Sequence, residues 1–159
     1  MIFGFLAKTD KRRLMTAVII MACAVVVGLI LTLVLLATRQ NVRIGDKTVQ
    51  RSIGGEDDAK QVMRDLGYEP ENGEPVVRHV SIPEEFDEVY TAYNELQQKS
   101  GFDLYPFRGK PTVLYCCPVR GTDGGCSEIV TLVVCGGRLI GGDISDEKAG
   151  GKLNSLAEK

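Results

Sequence analysis

The sequence predicts the α+β class: one transmembrane helix, then a small antiparallel sheet of about four strands with two helices packed on one face of that sheet. Two observations lead to this prediction. An apolar run of 24 residues without a charge extends from Leu14 to Ala37. After it, about 100 residues show helical and strand-like patterns in the order α-β-α-β-β-β. We expect a basic cytoplasmic segment at 1–13, the transmembrane helix at 14–37, a juxtamembrane linker at 38–55, the domain at 56–146 and a flexible tail at 147–159.

The apolar run is long enough to anchor the chain in a lipid bilayer. At about 1.5 Å per residue it exceeds the roughly 30 Å hydrocarbon core of a membrane. The apolar part of a cleaved signal peptide is only about 7–15 residues long, and no small-x-small cleavage site ends this run. No cysteine follows it to accept a lipid. We therefore expect an uncleaved anchor.

Basic residues flank the run on both sides, so the positive-inside rule alone gives a tie. The N-terminal cluster is denser at the boundary, and a long C-terminal domain can be translocated whatever its charge. We therefore expect a single-pass protein of the cell membrane, with its N-terminus in the cytoplasm and its domain outside. The basic residues are Lys8, Lys11, Arg12 and Arg13 before the run, and Arg39, Arg43, Lys47 and Arg51 after it.

Small residues recur every four positions in the run, at Ala24, Gly28 and Thr32. This spacing lets two helix backbones approach closely, so a homodimer contact is one interpretation. The other is chance, because small residues are common in membrane helices.

The region after the run is acidic. It holds 15 Lys or Arg and 20 Asp or Glu, a net charge of −5. A nucleic-acid-binding domain needs a basic face, so we expect no nucleic-acid partner.

Two segments have the period of a helix. In Glu56–Leu66 apolar residues recur at helical spacing, and Gly67 is placed to end the helix. The second segment extends from Pro83 to Ser100, with Ser81 and Glu84 at the spacing of a capping box. The apolar positions of the first helix are Ala59, Val62, Met63 and Leu66. The predicted inner face of the second comprises Phe86, Val89, Tyr90, Tyr93, Leu96 and Gln97.

Four segments read as strands: 76–82, 112–119, 128–135 and 138–145. Gly136-Gly137 has the composition of a two-residue hairpin turn between the last two. In a regular hairpin around that turn, Asp143 lies opposite Val130. The first helix, the first strand, the second helix and three further strands together predict a compact domain.

The segment IPEEFDEVYTAYNELQQKSGFDLYPFRGK at 82–110, followed by LIGGDIS at 139–145, resembles domain-of-unknown-function family 4830. That family occurs in Firmicutes-type bacteria, often behind an N-terminal membrane helix. The chain departs from it after Tyr115, where an aromatic-rich strand is usual, and at Ile144-Ser145, where a cysteine is frequent. The resemblance implies the fold and a cell-envelope location, and it implies no activity. The matching residues are Ile82-Pro83, Phe86, Val89-Tyr90, Tyr93-Asn94, Leu96-Gln97, Gly101 to Leu104, Gly109-Lys110 and Ile140 to Asp143.

The cysteines suggest several chemistries. Cys116, Cys117, Cys126 and Cys135 lie in the domain and Cys23 in the apolar run, and no pair has the spacing of a zinc knuckle. A hairpin centred near residue 123 places Cys117 opposite Ile129. Buried thiols acting as small apolar groups are the leading interpretation. One alternative is a disulfide from Cys116 or Cys117 to Cys126 through a bulge, for which Cys117–Cys126 is our candidate pair. The other is a metal site or a reactive thiol.

Other reactive groups have simpler explanations. His79 is the single histidine, and its mid-strand position predicts a solvent-facing side chain. The acids from Glu84 to Glu88 suit the positive end of a helix. No glycine doublet is followed by the lysine and Ser/Thr of a phosphate loop. We expect no metal, no cofactor and no catalytic residue.

Two polar residues suggest a binding site. Asn94 lies inside a predicted helix, where asparagine is a weak helix former. Asp143 follows Gly141-Gly142 on a strand, where a buried acid needs a partner such as Arg138, Lys110 or a backbone amide. We expect Asn94 and Asp143 to lie near each other, either in a structural hydrogen-bond network or in a binding site.

The leading functional hypothesis is a membrane-tethered interaction or structural domain, without enzymatic activity, that binds an envelope or membrane protein. The first alternative is an enzyme or enzyme subunit that uses a cysteine thiol or Asp143. The second is an accessory subunit that acts through its transmembrane helix.

Overall fold

The computed structural model describes residues 11–39, 41–71, 74–120, 127–146 and 152–158. The chain divides into two compact units, residues 1–39 and 40–159. The first unit contains helix α1, Lys11–Arg39. Its segment Met15–Val34 has a mean hydropathy of 3.0 and exposed side chains, and it is long and apolar enough to cross a membrane. The predicted N-terminal apolar helix is therefore confirmed, with a length and composition that suit both an anchor and a signal sequence.

The second unit is an α+β domain, which confirms the predicted class. Its large sheet has the order β3-β4-β5-β6-β7, and every neighbouring pair is antiparallel. The sheet therefore has five strands rather than about four, and a separate two-stranded sheet precedes it. The elements are β1 Asn41–Ile44, β2 Lys47–Gln50, α2 Glu56–Asp65, β3 Val76–Ser81, α3 Glu88–Lys99, β4 Pro111–Arg120, β5 Ser127–Cys135, β6 Arg138–Asp146 and β7 Leu153–Ser155, with a 3-10 turn at Tyr105–Phe107.

Residues 41–50 form a β-hairpin, so the expected juxtamembrane linker at 38–55 was wrong over this stretch. Gly45 adopts φ +60°, which permits the two-residue turn between the strands. Ile44 and Val49 are buried, together with Ile53, in the core that contains α2. Each strand has only four residues, too few for a period-2 pattern to stand out in the sequence.

The C-terminal tail contains a strand, which corrects the expected flexible tail at 147–159. β7 pairs with β6, and Ser155 and Leu156 are buried beside it. Residues 147–151 and 159 lie outside the described residues. A strand of three residues is too short to show a periodic pattern in the sequence. β7 forms because β6 offers it a pairing edge.

Both faces of the large sheet are covered. On one face, which we call the hairpin face, β4 and β5 pack against the β1–β2 hairpin and α2; on the other, the α3 face, they pack against α3. The expectation that both helices share one face was wrong. β4 and β5 carry apolar residues at odd and even positions, so both faces need cover. Hairpin-face residues include Tyr115, Cys117, Val119, Val130, Leu132 and Val134; Leu114, Val133 and Ile140 lie on the α3 face.

A β-bulge between Val133 and Val134 shifts the register of β5 and β6 by one residue. Asp143 therefore lies opposite Thr131, and the expected neighbour Val130 instead lies opposite Ile144. Because side chains alternate along a strand, this shift moves Asp143 from the apolar hairpin face to the α3 face.

Helix α3 begins five residues later than the predicted start at Pro83. Its N-cap is Asp87, whose Oδ1 accepts a 2.7 Å hydrogen bond from the backbone N–H of Tyr90. The backbone N–H of Ile82 donates to Lys110, and the Ile82 carbonyl accepts from Gly109. These bonds keep the chain extended at Ile82, so the helix starts only after it.

Candidate functional site

The buried acid Asp143 is bonded to a tyrosine of α3. The Tyr93 hydroxyl donates a 2.7 Å hydrogen bond to Asp143 Oδ1, and the carboxyl group lies on the α3 face beside Thr131. This partner differs from the expected Arg138, Lys110 or backbone amide. The bond joins α3 to β6 between residues 50 positions apart in the chain.

Burial governs the ionisation of this pair. It raises the pKa of Asp143, and the hydrogen bond from Tyr93 partly opposes that shift. Burial and the Asp143 charge both raise the pKa of Tyr93, so the phenol stays protonated and donates at neutral pH. The pair is suited to hold α3 on the sheet.

Asn94 has partners of its own. Its Oδ1 accepts a 2.7 Å bond from the Leu104 N–H, and its Nδ2 donates to Asp103 Oδ1 at 3.1 Å. Asn94 therefore holds the segment after α3 against the helix, through Asp103 and Leu104. It follows Tyr93 in the chain, but its hydrogen bonds go to the connector and not to Asp143.

Two further polar residues are buried, Gln97 of α3 and Ser100 at its C-cap, and sequence reasoning missed their role. Gln97 Oε1 accepts a 2.7 Å bond from the Gly142 N–H, and the hydroxyls of Ser100 and Ser155 lie 2.6 Å apart. A signal was present, because Asn94, Gln97 and Ser100 recur every three residues and share one helix face. These bonds join α3 and its C-cap to β6 and β7.

The glycines of β6 let α3 and the C-terminal segment come close. A Cβ at Gly141 would lie 2.8 Å from Gln97 Oε1, and one at Gly142 would lie 2.6 Å from both Leu156 Cδ1 and the Thr131 carbonyl. The Gly141-Gly142 pair therefore has a packing role on both sides of the strand.

The adjacent cysteines Cys116 and Cys117 point to opposite faces of β4. Cys117 is buried on the hairpin face opposite Val130, not opposite Ile129 as expected, and burial raises its pKa. Cys116 lies on the α3 face, with its Sγ 3.8 Å from the Thr131 hydroxyl. Cys126, and with it the predicted Cys117–Cys126 disulfide, lies outside the described residues. Cys23, Cys116, Cys117 and Cys135 are free thiols.

Metal-binding groups are not clustered in the part of the chain that the structure describes. No group of three or more His, Cys, Asp or Glu side chains there could hold a metal ion. His79 is exposed in the middle of β3, as predicted.

Two exposed valines lie along β3. This strand is the outer strand of the large sheet and pairs only with β4 among the described elements. Val76 and Val80 are 54% and 39% exposed, and Arg78 between them is also exposed. All three lie opposite Cys116, Leu114 and Thr112, so they share the α3 face. We call Val76, Arg78 and Val80 the edge triplet.

The backbone of β3 also directs hydrogen-bonding groups outward in the plane of the sheet, where no described element pairs with the strand. The Ile82 N–H donates to the Lys110 carbonyl and the Thr112 hydroxyl donates to the Val80 carbonyl, so these groups of Ile82 and Val80 point toward β4. Because bonded and non-bonded pairs alternate in an antiparallel ladder, Val77, His79 and Ser81 direct their N–H and C=O groups away from β4. The other edge strand, β7, has only three residues.

No family model, curated protein or solved structure matches the chain. Membership in family 4830 stays a prediction.

Proposed function

We propose that this chain is a membrane-anchored interaction protein whose domain holds an extended segment of a partner protein along β3. The observation that carries the proposal is the open edge of β3: a strand of six residues, three of them with outward backbone groups, that carries two exposed valines. An extended peptide that adds to such an edge gains main-chain hydrogen bonds, and its alternate side chains meet the two sheet faces.

The open edge of β3 has little of the usual protection against strand addition. Native proteins blunt exposed edges with prolines, charged side chains, bulges or a covering element. β3 has no proline and one charged side chain, Arg78, and no described element pairs with its outer side. An open edge of this kind exposes a monomer to aggregation, whereas a binding domain can use it to hold a partner strand.

Helix α1 supplies the anchor in this proposal. The dense basic cluster before it favours a cytoplasmic N-terminus and a domain outside the cell membrane. There the open edge meets envelope or membrane proteins. In this proposal Ala24, Gly28 and Thr32 form the helix–helix contact of a homodimer. The Thr32 hydroxyl donates to the Gly28 carbonyl at 2.6 Å within the same helix.

The enzymatic alternative has weaker support. A reactive cysteine needs a lowered pKa, whereas burial raises the pKa of Cys117. Asp143 has its bond to Tyr93, and its raised pKa follows from burial. Labelling of the full-length protein with a thiol reagent tests this alternative. A cysteine that reacts far faster than free cysteine would favour the enzyme.

In-cell photocrosslinking tests the interaction. We would place a photoreactive amino acid at Val80 in the full-length protein, with a matched probe at Glu95, an exposed position on α3. We expect a protein adduct from position 80 and none from 95. The same probe combined with His79→Pro should lose the adduct, because proline removes an outward N–H without touching the β4 ladder. An adduct that survives this substitution, or none at position 80, contradicts strand addition.

A further inference from the structure

The edge triplet indicates what chemistry the partner segment carries. In strand addition, side chains directly opposite each other lie about 4.5–5.5 Å apart on the same sheet face. The partner therefore places three alternate residues opposite Val76, Arg78 and Val80. Burial of the two exposed valines favours apolar side chains at the outer two positions.

Arg78 lacks an acidic partner in the described part of the domain. The one salt bridge there joins Lys99 and Glu158, at 3.1 Å, on a different part of the surface. β3 itself carries Arg78 and His79 and no carboxylate. The region after the apolar run has a net charge of −5, so Arg78 is a positive charge on one edge of an acidic domain.

We propose that the occupant of the β3 edge is an extended protein segment with the pattern apolar-x-acidic-x-apolar, whose acidic side chain pairs with Arg78. This inference rests on the proposed function, strand addition at β3. The pattern reads the same in both directions, so it holds for parallel and antiparallel addition. The two intervening residues lie opposite Val77 and His79 on the other sheet face, where His79 lines an open groove.

A second copy of the chain fits this edge less well. The antiparallel register that places Val76 opposite Val80 of the other copy also places Arg78 opposite Arg78. Like charges directly opposite each other destabilise a strand pair, whereas an acid in the same place stabilises it.

Peptide binding to the full-length protein in detergent micelles tests the inference. The probes are two labelled peptides, TVTETVT and TVTKTVT, which differ only in the central charge. We expect fluorescence anisotropy to show at least about fivefold tighter binding of the glutamate peptide. Arg78→Glu should reverse the preference. Arg64→Glu, an exposed arginine on α2, should leave it unchanged.

The outcomes separate this inference from the proposed function. Equal binding of both peptides, lost in His79→Pro, overturns the acidic pattern and leaves strand addition standing. Failure of both peptides to bind also overturns the pattern, while the photocrosslink at Val80 decides strand addition independently. A dimer that His79→Pro converts to a monomer identifies a second copy as the occupant and overturns the inference. Unchanged far-ultraviolet circular dichroism shows that each variant is folded.

Discussion

The hydroxyl of Tyr93 donates a 2.7 Å hydrogen bond to Oδ1 of Asp143, and this contact links α3 to the bulged strand β6. A buried carboxyl group needs a partner, and here a neutral donor supplies it. Without the one-residue bulge, Asp143 would point into the apolar core on the hairpin face. The hydrogen bond between Tyr93 and Asp143 therefore requires the bulge.

Removing the Tyr93 hydroxyl should destabilise the domain. Tyr93→Phe leaves Asp143 buried without this donor, and we expect a loss of about 1–3 kcal/mol in the free energy of unfolding. Urea unfolding of the full-length protein in detergent micelles measures it. Tyr105→Phe, at a ring that is exposed, is the control and should change stability by less than about 0.5 kcal/mol. Equal effects of the two substitutions would show that the bond contributes nothing specific.

The Asp143 carboxyl should make stability depend on pH. Burial raises its pKa above the ordinary value of 3.8, so the folded state retains the proton to higher pH than the unfolded state. The stabilisation is complete below about pH 3.8 and is lost as pH rises through the raised pKa. In urea unfolding between about pH 3.5 and 7, we expect wild type to lose stability relative to Asp143→Asn as pH rises. A pH-independent difference between the two proteins would rule out this titration.

A side chain at Gly142 should be poorly tolerated. The added Cβ of Gly142→Ala would meet Leu156 Cδ1 and the Thr131 carbonyl at 2.6 Å, and a backbone atom cannot move aside easily. We expect a loss of about 1–3 kcal/mol, measured by urea unfolding. Gly55→Ala is the matched control, because a Cβ there meets nothing within 4 Å. If both variants unfold at the same urea concentration, the close approach is not a constraint.

The C-terminal segment should contribute to stability. Leu156 is buried in the core that contains α2, so Leu156→Ala should cost about 2–5 kcal/mol. Leu153→Ala provides the comparison, since this leucine of β7 is 41% exposed, and it should cost far less. Thermal unfolding in micelles would show the contrast as a lower Tm for Leu156→Ala alone. Matching Tm values would instead support a loosely attached tail.

Strong local patterns made part of the fold predictable. The uncharged run within α1, the helical spacing of Ala59, Val62 and Met63, and the Gly136-Gly137 turn each depend on neighbours in the chain. In such segments the periodicity and the turn residues act over a few positions, so the sequence alone carries the signal.

Short or competing elements were not predictable. The strands of the hairpin have four residues and β7 has three, and each forms because another element offers a pairing edge or an apolar surface. The start of α3 at Glu88 is likewise decided by the backbone bonds that hold Ile82 to Gly109 and Lys110.

The candidate site was likewise predictable only in part. Asn94 and Asp143 stood out in the sequence as polar residues in apolar settings, and both are buried. The partners of these residues did not stand out in the sequence. Tyr93 can bond to Asp143 only because the bulge shifts the register by one residue. The open edge at β3 also depends on strand order, which non-local pairing decides. The sequence by itself determined the anchor-like helix, the main strands and the residues that need partners. The tertiary structure alone decided which face each side chain occupies and which strand edge stays open, because a single-residue bulge reverses the facing of all that follows it.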